Sequence, residues 1–273
     1  MTYSTLMVHL ELEHTNDARL RIAGDLAEKF EAKLIGIAAS DPRPPYYRNG
    51  AFVHSLIERE RNEIAKRMSE TEERFRAAVK DRARKIEWRC AMARPTEYVA
   101  REARAADLVI TGANRDGALL DPQLRLDPSD LVMQAGRPVF VVPPEAEHLK
   151  LKHVLIAWKD TREARRAVSD ALPLLHKAKY VDVIEVAEGD VSQGAAQHHV
   201  NDVVAWLVRH NISAVGRVSQ VPDDPDAIEN LWKNGVDLVV AGAYGHTRFR
   251  EWVIGGVTRK LITQSQHCSF LAH

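Results

Sequence analysis

The sequence predicts an α/β protein made of two tandem, doubly wound domains, and three observations support that prediction. The segment Asp107–Asn114 returns as Asp237–Tyr244, at an offset of 130 residues. The chain has 273 residues, which is enough for two domains that each bury a core. Short β-rich runs alternate with helical patterns, an order typical of parallel sheets covered by helices on both faces.

The repeat indicates where the two domains lie. Phe140 near the end of the first copy matches Phe270 in the second at the same offset. A period of this length is too long for a solenoid, so a tandem duplication is the simpler interpretation. We expect a first domain over residues 1–144, a second over residues 150–273, and a short proline-containing linker between them.

The second copy predicts five strands with a helix after each of the first four. The apolar run His153–Trp158 predicts the first strand, and an apolar stripe from Ala164 to Leu175 predicts the helix that follows. Asp160 or Thr161 is expected to cap this helix, and Pro173 to kink or end it. The remaining strands are predicted at Tyr180–Ala187, Ala214–Val221, Val236–Ala241 and Cys268–Ala272, and the remaining helices at Val191–His210, from Asp223 onward, and at about Gly255–Ser265.

The first copy follows the same plan with one addition. A proline-rich loop, Asp41–Tyr47, precedes a long charged helical pattern, Ala51–Ala83, which is either a partner-binding arm or, as we favour, an amphipathic helix with a solvated face. Right-handed crossovers leave few topologies, so each domain should be flavodoxin-like or Rossmann-like, with five mostly parallel strands. The strands of this copy are predicted near Leu6–Leu10, Lys33–Ala38, Ile86–Cys90, Leu108–Thr111 and Val139–Val142.

The composition argues against several classes of partner. Lysine plus arginine equals aspartate plus glutamate, at 38 each, so the chain has no overall attraction for nucleic acid or an anionic membrane. No apolar run approaches the roughly 20 residues that span a bilayer. The start of the chain lacks the pattern of a signal peptide, and two cysteines form no disulfide framework. We therefore expect a cytoplasmic protein.

The loop after the fourth strand of the second copy predicts an anion site. In open parallel sheets, ligands bind beyond the carboxyl ends of the strands. Gly242 and Gly245 can adopt positive φ angles and let a ligand approach the backbone. Nine residues later, Gly255 and Gly256 open the last helix, where free amides and the helix dipole attract anions.

This G-x-x-G-x9-G pattern, followed by a helix and a final strand, resembles the nucleotide-binding signature of the universal stress protein family. The resemblance covers essentially the whole chain as a tandem pair and implies ATP or a related adenine nucleotide as ligand, with or without Mg²⁺. The phosphates, ribose and adenine would then meet the second domain. The implied contacts are Gly242, Gly245, Gly255 and Gly256 for phosphate, Arg248 and Thr258 as side-chain partners, Asp160 for ribose and Val186 as a wall for adenine.

The two copies depart from the family pattern to different degrees. In the second, Lys159 stands where the family has an aspartate, so either Asp160 substitutes for it or Lys159 meets phosphate. In the first, Gly112 matches Gly242, but side chains replace the other glycines. Arg115 stands at the place of Gly245, Arg125 at that of Gly255 and Leu126 at that of Gly256. The first domain should not bind ATP, and it either binds something else or supports the second.

No catalytic or metal residues are predicted. The sequence has no Walker A motif and no nucleophile elbow, and a glycine loop without a general base holds a nucleotide better than it cleaves one. The pair His198 and His199 is expected on a solvated helix face rather than at a metal. The expected function is a stress-response protein that binds nucleotide for sensing or signalling. The alternatives are an ATP-independent interaction or scaffold protein, and a slow ATPase or phosphotransferase.

The resemblance also implies how the domains meet. Single-domain members of the family commonly dimerise through the last strand, and an apolar edge strand invites pairing. We expect Val139–Val142 and Cys268–Ala272 to bring the domains together as an intramolecular pseudo-dimer, with a homodimer of whole chains also open.

Overall fold

The structure is a computed structural model of the 273-residue chain. It describes residues 2–42, 47–48, 51–52, 54–113, 124–186, 193–219, 235–244 and 267–273. The predicted helices at 223 and 255–265 lie outside this part of the chain. Among the described residues, no helix is long and apolar enough to cross a membrane.

The elements alternate as the sequence predicts. The first half comprises β1 (Thr5–His9), α1 (Asp17–Phe30), β2 (Lys33–Ala39), β3 (Tyr47–Arg48), β4 (Ala51–Phe52), α2 (His54–Val79), β5 (Lys85–Ala91), α3 (Pro95–Glu102), a 3₁₀-helix (Ala103–Ala105), β6 (Leu108–Gly112), α4 (Pro128–Gln134) and β7 (Val139–Val142). The second half comprises β8 (His153–Trp158), α5 (Arg162–Asp170), α6 (Leu172–Leu175), β9 (Tyr180–Val186), α7 (Gln193–Arg209), β10 (Val215–Ser219), β11 (Leu238–Gly242) and β12 (Cys268–Ala272).

Ten of these strands form one sheet, in the order β10-β9-β8-β11-β12-β7-β6-β1-β2-β5. Each half contributes five parallel strands in the internal order 3-2-1-4-5, counted along the chain. The predicted doubly wound α/β fold is thus confirmed. Of the two topologies named from the sequence, this order is the Rossmann-like one, because a flavodoxin-like sheet would place the third strand between the first and the fourth.

The two halves meet through their last strands. β7 and β12 pair antiparallel, with Phe140 and Phe270 as register partners and the flanking pairs arranged symmetrically about them. Every residue of both strands is buried. Each strand would be the exposed edge of a separate five-stranded sheet, and pairing satisfies the backbone groups of both edges.

The aspartate that begins each copy of the repeat anchors the central strand of its half. Asp107 Oδ2 accepts hydrogen bonds from the backbone N–H groups of Ser4 and Thr5, at 2.7 and 2.9 Å. Asp237 Oδ2 does the same for Lys152 and His153, at 2.7 and 3.0 Å. Charge-assisted bonds of this kind fix where β1 and β8 start. This part of the repeat is therefore structural.

Further contacts tie the linker and the second half to the first. Asp25 on α1 accepts a hydrogen bond from the Leu149 N–H at 3.2 Å. The Tyr3 hydroxyl donates to the backbone carbonyl of Asp170, at the end of α5, at 2.7 Å. Burial, reinforced by the Asp170 and Asp107 carboxylates, raises the pKa of Tyr3 well above its ordinary value, so this donor stays protonated.

The predicted helix start at Ala51 is wrong, because Ala51–Phe52 pairs antiparallel with Tyr47–Arg48 and α2 begins at His54. The sequence carried the signal for this hairpin. Asn49-Gly50, which separates the two strands, is the dipeptide that most favours a tight hairpin turn. The long charged helix that follows is present, with ion pairs such as Arg76–Glu72 along its exposed side.

The Phe140–Phe270 pair should couple the stabilities of the two halves. Phe140→Leu and Phe270→Leu should each lower the free energy of unfolding by about 1 kcal/mol. In a double-mutant cycle followed by urea denaturation, the two changes should be non-additive by about 0.5 kcal/mol, because cross-strand aromatic partners share contacts.

The matched control replaces Phe270 with Phe75, an equally buried phenylalanine on α2. It packs at β2 and β5, several strands away from β7, so Phe75→Leu and Phe140→Leu should be additive. Equal coupling in the two cycles would contradict a specific contact between the halves.

Candidate functional site

The second half has its topological switch point between β8 and β11. These two strands are neighbours in the sheet, and the chain leaves them in opposite directions, to β9 and β10 on one side and β12 on the other. A crevice forms beyond the carboxyl ends of two such strands, which is where open α/β sheets bind ligands. The start of the predicted glycine loop, Gly242, ends β11 at this point.

Three predicted site residues fall in the described part of the chain, and they share this edge. Asp160 follows β8, Val186 ends β9 and Gly242 ends β11, and these strands are adjacent in the order β9-β8-β11. The other predicted residues, Gly245, Arg248, Gly255, Gly256 and Thr258, lie outside the described residues.

Gly242 has a packing role that the sequence did not reveal. A Cβ atom at this position would lie 2.4 Å from the backbone nitrogen of Ala164 and 2.7 Å from the carbonyl carbon of Glu163. The first turn of α5 therefore rests directly on the end of β11. At the matching Gly112 of the first half, the nearest atoms would instead belong to the Arg19 side chain, at 3.2 Å. The repeat retains glycine at both positions for different reasons.

The turn after β8 leaves the Asp160 carboxylate at the surface. Thr161, one of the two predicted caps, is the residue that caps α5, since its Oγ1 accepts a hydrogen bond from the Ala164 N–H at 3.3 Å. Asp160 instead pairs with Arg165, with 2.7 Å between Oδ1 and a guanidinium nitrogen. The side chain of Asp160 is 45% exposed, so it remains accessible to a ligand at this edge.

Two polar side chains that the sequence patterns did not indicate lie at the ends of neighbouring strands. Trp158 is the last residue of β8, and Glu185 is the last but one of β9. Trp158 and Glu185 are register partners on β8 and β9, so their side chains lie on the same face of the sheet. Trp158 Nε1 and Glu185 Oε2 are both buried, and neither has a hydrogen-bond partner among the described residues. An unsatisfied buried donor or acceptor costs about 1–3 kcal/mol. A partner for each, such as a water or a polar ligand atom, would remove that cost.

A histidine on α7 partly satisfies Glu185. The Nδ1 atom of His199 lies 3.2 Å from Glu185 Oε1, whereas His198 faces outward and pairs with the exposed Asp202. The predicted solvated face holds His198, whereas His199 is 33% exposed and turns toward Glu185, because consecutive helical residues point in different directions. Burial raises the pKa of Glu185, and the hydrogen bond from His199 lowers it in part.

The first half has apolar side chains at the matching positions. The register positions that match Trp158 and Glu185 are Leu10 and Ala38, both buried in the apolar core. At these two matched positions the second half therefore has polar side chains and the first half has hydrocarbon. The first half has other buried polar groups near the same edge, His9 and Thr111, whose Nδ1 and Oγ1 atoms lie 3.4 Å apart.

The start of the glycine loop also contacts the first half. Tyr244, which follows β11, has a left-handed backbone with φ of 62°. Burial raises the pKa of its phenol, the neighbouring Ser129 lowers it in part, and Asp127 and Asp130, beside and on α4, raise it. The start of the loop therefore lies close to the first turn of α4. No three His, Cys, Asp or Glu side chains are placed to hold a metal ion within the ranges that the structure describes.

Comparison with known proteins identifies the fold. No protein-family model matches the chain, and no curated protein matches it in sequence. A universal stress protein from Archaeoglobus fulgidus superposes with a TM-score of 0.71 at 13% identity, covering 98% of this chain and 95% of that one. A putative universal stress protein from Pseudomonas aeruginosa superposes with a TM-score of 0.59 at 16% identity, covering 99% and 93%.

A third match is the cytoplasmic domain of a prokaryotic cation chloride cotransporter, with a TM-score of 0.53 at 12% identity and coverage of 98% and 94%. At these identities the likeness establishes the fold. The chain has the two-copy fold seen in universal stress proteins, as the sequence signature predicted.

Substituting the two matched glycines should separate their roles. Gly242→Ala should lower the free energy of unfolding by about 2 kcal/mol, because the added methyl group meets backbone atoms of α5 that cannot rotate away. Gly112→Ala should cost less, about 1 kcal/mol, since its neighbour is a side chain. Chemical denaturation of both variants measures the difference, and equal losses would contradict this assignment.

Glu185→Gln should stabilise the protein at high pH. The raised pKa means that folding favours the protonated carboxyl, so the destabilisation is present above that pKa and disappears below the ordinary value of 4.5. We expect a gain of about 1 kcal/mol at about pH 8 that shrinks toward zero by about pH 4, measured by urea denaturation across this range.

Asp202→Asn is the matched control, because it alters a carboxylate that is also bonded to a histidine of α7 but is exposed. It should change stability by less than about 0.5 kcal/mol throughout. A Glu185→Gln variant that is less stable than the parent at high pH would show that the carboxylate already has a full set of partners.

Proposed function

We propose that this chain is a tandem member of the universal stress protein family that binds ATP or a related adenine nucleotide in its second half. The observation that carries the proposal is the position of the glycine loop. It leaves β11 at the switch point between β8 and β11, where the fold places ligands. Binding would serve sensing or signalling in a cytosolic stress response rather than turnover.

The proposed contacts divide between backbone and side chains. The amides of Gly245, Gly255 and Gly256 hold the phosphates, with Arg248 and Thr258 as side-chain partners. Gly242 acts mainly by letting α5 approach β11, which sets the start of the loop. Across the same edge, Asp160 contacts the ribose and Val186 forms a wall for the adenine. Mg²⁺ would accompany the phosphates if the ligand is a triphosphate.

Trp158 and Glu185 support a polar ligand in the second half. Their unsatisfied N–H and carboxylate oxygen lie at the ends of β8 and β9, next to Asp160 and Val186. Together they offer one donor and one acceptor, which suits a ligand with hydroxyl or ring-nitrogen groups. At the matching positions the first half has the apolar residues Leu10 and Ala38.

We further propose that residues 1–144 and 150–273 are two domains that act as an intramolecular pseudo-dimer. The antiparallel pairing of β7 with β12 supports this arrangement, because it consumes the strand edge through which two separate copies would pair. A homodimer of whole chains would then have to use another surface.

An ATP-independent interaction protein is the second candidate. One observation favours it: the same two-copy fold occurs in the cytoplasmic domain of a cation chloride cotransporter. A slow ATPase or phosphotransferase is the third, and turnover that survives repeated purification would support it.

The direct test is to denature freshly purified protein and analyse the supernatant for nucleotide. Binding in the second half alone predicts at most one adenine nucleotide per chain, and calorimetry with added ATP should give the same stoichiometry. Two equivalent sites would contradict the assignment to one half. Absence of bound nucleotide together with no heat on titration would favour the interaction protein.

Gly245→Val should weaken ATP binding at least tenfold, about 1.4 kcal/mol, because a branched side chain restricts the backbone that approaches phosphate. Arg115→Val is the matched control, since Arg115 occupies the same position in the first copy. It should leave the affinity unchanged. Calorimetry measures both affinities, and an unchanged affinity in Gly245→Val with an unchanged melting temperature would place the ligand elsewhere.

A further inference from the structure

The first half contains a cavity of about 150 Å³ at the carboxyl edge of its own sheet. Its walls come from the turn after β1, the first turns of α1, the end of β6, the segment before α4 and the residues after β7. This is the switch point of the first half, between β1 and β6. The half that lost its glycine signature therefore still has a cavity at that edge.

Cationic side chains dominate the cavity wall. Arg19, Arg21 and Arg125 line it together with His14, against two carboxylates, Glu11 and Asp17. Arg125 NH2 contacts His14 Nε2, and Arg21, at the exposed rim, reaches the linker carbonyl of Ala146 at 3.4 Å.

Glu11 offsets part of this charge, since it pairs with Arg19 and lies 4.0 Å from His14 Nε2. The Arg19 guanidinium is buried, lies 3.3 Å from Glu11 Oε1 and donates to the His9 carbonyl at 3.3 Å. Burial by itself would raise the pKa of Glu11, but Arg19 and the other nearby cations bring it below its ordinary value. Arg21 and Arg125 also line the cavity, whose other carboxylate is that of the exposed Asp17.

The first turn of α1 adds backbone donors to the same wall. Asn16, at the cap position, makes no side-chain bond to the helix, and its Oδ1 accepts instead from the Glu11 N–H at 2.9 Å. Asp17, Ala18 and Arg19, whose N–H groups open the helix, all line the cavity. In the second half, Thr161 caps the matching helix.

We propose that this cavity binds a compact oxyanion, phosphate or a small carboxylate, rather than a nucleotide. Guanidinium groups bind both anions through paired N–H bonds and can replace the backbone amides of a glycine loop. The volume suits such an anion, since pockets for larger organic ligands measure about 300–1,000 Å³. Val142, Pro143 and Pro144 line the cavity, so a bound anion would lie beside the end of β7 and the linker.

The test titrates the full chain carrying Gly245→Val with inorganic phosphate and, separately, with acetate. The substitution weakens the proposed phosphate site in the second half, so remaining binding reports on the first. We expect one oxyanion to bind per chain. Whichever of phosphate and acetate binds with the higher affinity identifies the class of oxyanion that the cavity accepts. Adding Arg125→Gln or Arg21→Gln should weaken this binding about tenfold, as expected for loss of a charged hydrogen bond.

Arg76→Gln is the control, because Arg76 is an exposed arginine of the same half that pairs with Glu72 on α2, away from the cavity. It should leave oxyanion affinity within about twofold. Melting temperatures without ligand establish that each variant is folded. The proposal is overturned if the Gly245→Val chain binds neither anion up to about 10 mM, or if neither Arg125→Gln nor Arg21→Gln weakens binding more than Arg76→Gln does.

Discussion

The antiparallel pairing of β7 with β12 is the contact on which the rest of the architecture depends. Within each half all the strands of the ten-stranded sheet run parallel, so the antiparallel pairing of β7 with β12 reverses the strand direction of this sheet at its centre. The carboxyl ends of the first-half strands therefore lie at the opposite edge of the sheet from those of the second half. The chain therefore has two carboxyl edges, one in each half, at opposite ends of the sheet.

The two halves differ at positions that correspond in the strand register. Leu10 and Ala38 in the first half occupy the places that Trp158 and Glu185 occupy in the second. Gly112 accommodates a buried arginine, whereas Gly242 accommodates the backbone of α5. These differences between the halves lie at the ends of the strands, and the strands themselves are hydrophobic in both halves.

Contacts outside β7 and β12 also join the two halves. Tyr244 joins the start of the glycine loop to the neighbourhood of α4, and Tyr3 joins β1 to the end of α5. On the other side, the cavity of the first half borders the linker that leads into β8.

The sequence by itself determined the duplicated α/β fold and the position of nearly every described strand, because apolar runs and turn residues are local signals. It also located Gly242, Asp160 and Val186 at strand ends, which parallel strands bring to one edge. It did not reveal the strand order or the partnership of Glu185 with His199. Tertiary packing decided these, because a strand residue and a helix residue meet only once both elements are placed against the same sheet face. The packing role of Gly242 was not evident from the sequence either, because the backbone that packs against it belongs to α5, almost eighty residues earlier in the chain.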